Sequence, residues 1–228
     1  MIHYCIDVLT VDGFVDRMNN FIIKTPDEEL HGAVIELLKE DFRLRERMNV
    51  CRGASPDAET PDGGQYYNTW LQQGVSLVAI DPKDGHIIGA AVNQIVDKSS
   101  HGFEVSPTMP LRQRFFFTVI GELEGGIDVF EELQTDKGME LTILSVRKEY
   151  SGQGLGRKLA EKTIEQARKL ELKFIQSVPT APQTIHLFEA LGFETRKERK
   201  FGDMSFEGSP AFPLATAADR ARYVVKKL

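Results

Sequence analysis

Apolar positions recur along this 228-residue chain at two spacings, and the switches between them outline the fold. Leu30, Val34, Leu37 and Leu38 share one face at helical spacing. Thr25-Pro26-Asp27-Glu28 precedes them and reads as an N-cap threonine, a proline at the first helical position and a glutamate at the third. Together they predict a helix over about 26–41. Residues 75–80 and 86–96 are β-prone runs joined by Asp81-Pro82-Lys83-Asp84-Gly85, so they are expected as neighbouring antiparallel strands. Residues 141–146 read as a strand, and Leu155, Leu159, Ala160, Ile164, Ala167 and Leu170 as an amphipathic helix. Residues 172–178 form the next strand, and Thr184, Ile185, Phe188 and Leu191 mark a second helix stopped by Gly192. A short strand over 20–24 and a short helix over 127–133 complete the outline, with 115–120 fitting a buried helix or a strand equally. Residues 53–64 are a polar loop rich in turn formers. The Asp12-Gly13 pair is a hairpin signal that folds an extension, residues 1–19, back as an extra strand ahead of a single domain over 20–228. The fold class expected is mixed α/β.

Composition narrows the functions available. With 28 basic and 34 acidic residues the net charge is −6, which disfavours a broad electrostatic grip on nucleic acid and points to a small-molecule or protein partner. Two cysteines, Cys5 and Cys51, make neither a disulfide framework nor a CxxC metal site, so a reduced, cytoplasmic protein is expected. The N-terminal residues lack a signal-peptide pattern, and no apolar run is long enough to span a membrane. The terminal Lys226-Lys227-Leu228 reads as a frayed strand end rather than an organelle address. His3, His31, His86, His101 and His186 show no paired ligand spacing, so no metal is expected. Nothing in the sequence sets the oligomeric state.

The chemistry concentrates at Ser151-Gly152-Gln153-Gly154-Leu155-Gly156, between a strand end and a helix start. Glycines at alternate positions let an anion approach successive backbone N–H groups without meeting a Cβ, and the helix dipole adds attraction. Arg157 and Lys158 bring positive charge to the first turn. A tight turn needing glycine for packing alone is the competing reading. Two other phosphate motifs fail here: GxGxxG requires glycine where Arg157 stands, and a P-loop requires a GK[ST] ending.

Val146 followed by this loop resembles the acetyl-coenzyme-A motif of the GNAT superfamily of N-acetyltransferases. Leu187-Phe188-Glu189-Ala190-Leu191-Gly192-Phe193 is similar to that superfamily's closing signature. The likeness sharpens toward the arylalkylamine, or dopamine, N-acetyltransferase branch at Leu144-Ser145-Val146, at residues 38–49 and at residues 74–79. It implies a largely antiparallel central sheet with one splayed parallel pair, and acetyl-CoA as cosubstrate held by Leu144, Ser145, Val146, Ser151, Gly152, Gln153, Gly154, Leu155, Gly156 and Arg157. Glu46 matches the branch's catalytic glutamate, while Thr180 and Thr184 stand where it has two serines proposed to assist proton transfer. The backbone N–H of Val146 is implied as an oxyanion contact.

The sequence departs from the pattern in three places. Ser151 replaces the usual Gln or Arg, Arg47-Met48 replaces Pro-Leu after the glutamate, and Phe188 replaces the tyrosine that protonates the departing thiolate. Neither cysteine sits in a motif for an acyl-enzyme, so direct transfer to a small primary amine is expected, an arylalkylamine first and a polyamine or other alkylamine second. A non-catalytic acyl-CoA-binding protein and a protein-lysine acetyltransferase are the remaining alternatives. Phe115, Phe116 and Phe117 fit either a wall for an aryl group or core packing. Glu46 itself reads either as a base or as a solvated carboxylate among Arg43, Arg45 and Arg47.

Overall fold

The structure is a computed structural model that describes residues 14–16, 21–54, 65–99, 109 and 111–228. It contains strands β1 (Phe14–Asp16), β2 (Phe21–Lys24), β3 (Leu77–Ile80), β4 (Ile87–Asp97), β5 (Lys137–Val146), β6 (Phe174–Ser177), β7 (Glu194–Lys200), β8 (Ser205–Phe206), β9 (Ser209–Pro210) and β10 (Arg220–Lys227). The helices are α1 (Glu28–Leu37), α2 (Arg43–Arg45), α3 (Arg47–Arg52), α4 (Gln65–Leu71), α5 (Leu111–Glu124), α6 (Val129–Glu132), α7 (Leu155–Lys169) and α8 (Pro182–Ala190). Eight strands form one sheet in the order β1-β2-β3-β4-β5-β6-β10-β7. Every neighbouring pair is antiparallel except β5 and β6.

Helices cover both faces. On one, α7 lays Ala160, Ile164 and Ala167 against Met139, Leu141, Ile175 and Val224, with Phe188 of α8 alongside. On the other, Val34, Leu37 and Leu38 pack with Leu71 on Val78, Val92 and Ile143, while Val119, Leu123 and Phe130 pack on Phe174, Tyr223 and Val225. Each fully buried Leu, Ile, Val or Phe contributes about 1.5–3 kcal/mol, so these seams hold the sheet between its helices.

The first helix starts later than the sequence suggests and ends differently. Its N-cap is Asp27, whose Oδ1 accepts from the Leu30 amide at 3.2 Å, leaving Thr25 and Pro26 outside the helix. From Leu38 to Phe42 the chain runs as a π-helix and then turns into α2, an irregularity of the kind that gathers at functional sites. Residues 115–120 are helical, inside α5. The last strand is not a frayed end: β10 lies inside the sheet between β6 and β7, and the Leu228 amide still donates to the Lys173 carbonyl at 3.0 Å. The strand β1 pairs with β2, and the Asp12-Gly13 hairpin signal lies outside the described residues, as do His3, Cys5 and His101.

Two features shape the middle of the sheet. Strands β5 and β6 pair only at Met139–Ile175 and Glu140–Gln176, then splay apart. At the root of the splay a Cβ on Gly138 would come within 2.3 Å of the Phe174 ring, so only glycine fits there. The Ser177 hydroxyl takes over from the ladder, donating to the Leu141 carbonyl at 2.7 Å. One step further along, the register between β4 and β5 slips between Val92–Ile143 and Asn93–Leu141, leaving Thr142 as an extra, bulged residue. Before the bulge Met139 and Leu141 face α7 and Glu140 faces the opposite side; after it Leu144 and Val146 face α7 and Ile143 faces α1.

Candidate functional site

The splay opens into a cavity of about 1120 Å³ that runs from the glycine loop, past the end of β5, to α5. At the loop end, Gly152 and Gly154 have φ of +78° and +79°, a region costly to residues with a Cβ. A Cβ built on either meets no atom within 4 Å, so the space in front of the main chain is open to a ligand. Gly154 is the N-cap of α7 and no side chain caps that helix, leaving its first amides for an external anion. These residues fit the diphosphate arm of a coenzyme A thioester. Ser151, Gly152, Gly154, Leu155 and Gly156 line the cavity. Gln153 and Arg157 do not: the Gln153 amide turns back to the Glu149 carbonyl at 3.4 Å, and Arg157 lies along α7 near Glu161 at 3.7 Å.

Strand alternation sets which amides of β5 face the splay. The Arg147 N–H donates to Ile88 O on β4 at 2.9 Å, so the N–H of Ser145 points the same way and those of Leu144 and Val146 point into the opening. The Val146 carbonyl, on the same side as its N–H, accepts from the Arg45 guanidinium at 2.6 Å. Arg45, also paired with Asp41, carries cationic charge to the junction of cradle and splay, and nothing in its sequence context signals this. Leu144, Ser145 and Val146 line the cavity, and the buried Ser145 hydroxyl has no hydrogen-bond partner among the described residues.

Next to Arg45 stands Glu46, at the break between α2 and α3. It is the N-cap of α3: its carboxylate oxygens accept from the amides of Met48 (2.9 Å) and Asn49 (2.8 Å). The Thr180 hydroxyl, at the mouth of β6, donates to Oε1 at 3.0 Å across 134 positions of sequence. Burial pushes the Glu46 carboxyl above the usual range, opposed by those two amides, by Thr180 and by the charge of Arg47. Glu46 is therefore not a solvated carboxylate among arginines; it is fixed by both neighbours and lines the cavity. Thr184, in the first turn of α8, lines it as well, and its hydroxyl has no partner among the described residues.

Arg47, the residue after Glu46, ties this corner down. Its Nε and Nη2 reach Asp219 Oδ1 at 3.0 and 2.5 Å, while Oδ2 of the same carboxylate accepts from the Thr216 amide (2.9 Å) and hydroxyl (2.8 Å). Burial alone would raise the Asp219 carboxyl, but Thr216 and Arg47 outweigh it and hold it at about 2. Cys51, buried beside this pair, has its thiol pushed up by burial to about 11, so it offers no thiolate for an acyl-enzyme at neutral pH.

The walls of the far half are aromatic and the three consecutive phenylalanines divide their roles. Phe115 is buried edge-on to Phe206 and Phe212 with Arg52 over its ring at 4.3 Å, whereas Phe116 is 37% exposed. All three border the cavity, together with Tyr67 and Trp70. Phe188 stacks on Phe193 with centroids 4.7 Å apart, packed as core where the related pattern has its acid. The cavity is also lined by Glu124, Glu140, Thr142, Gln94 and Gln176, none of which carries a signal in the sequence. Among the described residues no group of three or more His, Cys, Asp or Glu side chains is placed to hold a metal, and no helix is long and apolar enough to cross a membrane.

Residues 33–193 match the acetyltransferase (GNAT) family. No curated protein sequence matches the chain. Among solved structures it is similar to arylalkylamine N-acetyltransferase 2 from Aedes aegypti, at 26% identity and a TM-score of 0.83, over 92% of this chain and 99% of that one. It also resembles mosquito arylalkylamine N-acetyltransferase-like 5b (22% identity, TM-score 0.82, 91% and 100% covered). The polyamine N-acetyltransferase of Drosophila melanogaster, which forms N-acetylagmatine, shares the fold at 16% identity and a TM-score of 0.75, over 91% and 100% of the two chains.

Proposed function

The chain belongs to the acetyltransferase (GNAT) family and is an N-acetyltransferase, and from that premise we propose that it transfers acetyl from acetyl-CoA directly to the primary amine of a small molecule, an arylalkylamine in the first instance, in the cytoplasm. The observation that carries this reading is the meeting of Glu46 and Thr180 in the cavity that leads to the glycine cradle. The aromatic walls and the arylalkylamine enzymes of like fold support the aryl acceptor.

A primary amine with a pKa near 10 enters protonated, so a base is needed first. Glu46 takes the proton, directly or through a water, with its raised pKa making it a stronger acceptor than an ordinary carboxylate. Thr180 and the two α3 amides hold the carboxylate in place for this. The amine nitrogen then forms its bond to the acyl carbon, and the inward N–H of Val146 stabilises the oxyanion. Breaking the C–S bond releases coenzyme A as a thiolate of ordinary acidity, a tolerable leaving group where Phe188 supplies no proton. The nitrogen, still carrying one proton too many for an amide, loses it as the adduct collapses, and the Thr184 hydroxyl stands where it can relay that proton to the departing sulfur. Main-chain amides around 152–157 hold the diphosphate throughout.

A second reading, a polyamine or other alkylamine as acceptor, is favoured by the carboxylates Glu124 and Glu140 at the far end. The test is release of free thiol from acetyl-CoA in the presence of arylalkylamines, polyamines and lysine peptides. Turnover with small amines and none with peptides is expected; peptide turnover alone would overturn the small-molecule assignment.

A further inference from the structure

Arg45 stands where the glycine cradle and the acceptor half of the cavity meet, with part of its guanidinium unengaged. The π-helical turn Leu38–Phe42 carries Asp41, and α2 carries Arg45 one turn later, on the face of the sheet away from α7. Nη2 donates to Asp41 Oδ2 and, at 2.6 Å, to the Val146 carbonyl. These bonds use both hydrogens of Nη2, while Nε and Nη1 have no hydrogen-bond partner among the described residues. Arg45 lines the cavity, as do Val146 and Glu46. Arg47, by contrast, is engaged with Asp219.

Covalent geometry places this guanidinium beside the reacting oxygen. In a residue with extended backbone the amide nitrogen and the carbonyl oxygen lie on one edge of the strand, about 3 Å apart. A thioester oxygen that accepts from the Val146 N–H sits about 2.9 Å outside that nitrogen. Arg45 Nη2 sits 2.6 Å outside the oxygen of the same residue. The two run side by side, which leaves about 3–5 Å between the guanidinium and the atom on which charge develops. A small swing of Nη1 closes that gap to a charge-assisted hydrogen bond. We infer that Arg45 is a catalytic residue, the second donor to the oxyanion beside the Val146 amide. The inference rests on acetyl transfer at this site and adds a side chain to an oxyanion contact that is otherwise main chain alone.

As the amine nitrogen forms its bond to the acyl carbon, the carbonyl π pair moves onto oxygen, and the resulting charge is held between the Val146 N–H and Arg45. On collapse that pair re-forms the carbonyl, the C–S bond breaks, and its electrons leave with sulfur as the thiolate. Arg45 gives and takes no proton, in keeping with a guanidinium that stays charged at neutral pH. Phe188, packed on Phe193, has no proton to give. A fixed cation therefore stabilises the adduct where an acid is missing. Asp41 pairs with the guanidinium and offsets part of its charge, and the Arg45 side chain is 42% exposed. Its effect is accordingly smaller than that of a donor sealed from solvent.

The experiment measures kcat and KM by thiol release with the best acceptor of the amine panel, in the full-length protein, for wild type, Arg45→Gln, Arg45→Ala and Asp41→Asn. Arg45→Gln is expected to lower kcat about 10–100-fold, with KM for the amine little changed and undiminished acetyl-CoA binding by calorimetry establishing that it folds. Added guanidinium chloride at low, non-denaturing concentration is expected to restore part of the rate to Arg45→Ala. Asp41→Asn removes the tie to the π-helical turn and keeps the cation, so its kcat is expected to stay close to wild type. Equal losses in Arg45→Gln and Asp41→Asn would make Arg45 a strap between helix and sheet and overturn the inference, as would an unchanged kcat in Arg45→Gln. Two thioester mimics supply a readout without turnover: S-acetonyl-CoA, an uncharged ketone, and trifluoroacetonyl-CoA, whose hydrate ionises to an oxyanion. Wild type is expected to bind the second about tenfold more tightly, and Arg45→Gln to bind both alike. Absence of transfer to every amine would overturn the function, and the mimics alone then decide. A preference for the oxyanion mimic that Arg45→Gln abolishes supports the contact; no preference in wild type, or one that persists in the variant, overturns it.

Discussion

At Gly152, Gly154, Leu155 and Gly156 the loop and the start of α7 offer main-chain amides to the cavity, whereas elsewhere the lining presents carboxylates, carboxamides and rings from α3, α4, α5, β4, β5 and β6. The first region makes its binding surface by leaving side chains out: Cβ atoms are missing at Gly152 and Gly154, and no side chain caps α7. The second makes its surface by bringing side chains together, as when Thr180 meets Glu46 or Gln176 meets Glu140. A common cosubstrate suits the first device because the backbone is indifferent to substitution elsewhere. Acceptor choice suits the second, because exchanging a single side chain alters what the pocket attracts.

The largest effect should come from the side-chain end. Glu46→Gln keeps acceptor oxygen for one of the α3 amides but removes the base, and kcat/KM is expected to fall about 10²–10⁴-fold, with acetyl-CoA affinity unchanged by calorimetry. The acid limb of the wild-type profile should lie above the ordinary carboxylate range, since burial raises Glu46, and activity should rise with pH through that limb. An unchanged rate in the variant would leave Glu46 as a helix cap only.

Next comes the main-chain end. Gly154→Val places a branched side chain at φ +79° in front of the cradle. The strain is about 1–2 kcal/mol, and the lost approach should weaken acetyl-CoA about 100-fold, while direct binding of a small amine stays intact. Normal acetyl-CoA affinity in this variant would move the diphosphate away from the loop.

The smallest effect contrasts two carboxylates through stability. Glu124 has its pKa raised from 4.5 to about 8 in the folded chain. The folded state therefore binds more protons than the unfolded one, and this contribution is fully present below about pH 4.5 and is lost as pH rises through 8. Asp219, lowered from 3.8 to about 2, does the opposite: it contributes above pH 3.8, and the contribution is lost as pH falls toward 2. In denaturant melts, Glu124→Gln should remove about 1–3 kcal/mol of the stability decline between pH 5 and 8. Asp219→Asn should instead flatten the acid side and free Arg47 from its partner. Identical pH slopes in both variants would contradict these environments.

This division also explains what could be read from the chain before folding. The cradle is legible because the positive φ at Gly152 and Gly154 strongly favours glycine, and the fold around it follows from the strand–loop–helix order. Glu46, Thr180 and Thr184 were reached through resemblance, not through spacing, since 134 positions separate Glu46 from Thr180. Glu124 and Glu140 carry no local signal at all: each sits in an amphipathic element as any surface glutamate does, and only the sheet register brings Glu140 level with Gln176. Arg47 and Asp219 are likewise joined across 172 positions. The strand β7 carries no sequence signal because Glu194–Lys200 is almost entirely charged, without the alternation that marks a half-buried strand. Thr25 and Asp27 both satisfy the N-cap rule in sequence, and only geometry selects Asp27, two residues later.

The seat of β10 between β6 and β7 carries a consequence for biosynthesis. A ribosome delivers Phe174–Ser177 and Glu194–Lys200 well before Arg220–Lys227, yet until the latest segment emerges β7 has no lateral neighbour and β6 has only β5, on one side. During that interval, several seconds at typical elongation rates of about 5–20 residues per second, the nascent sheet ends at an apolar strand with unpaired amides, a surface that chaperones are suited to shield.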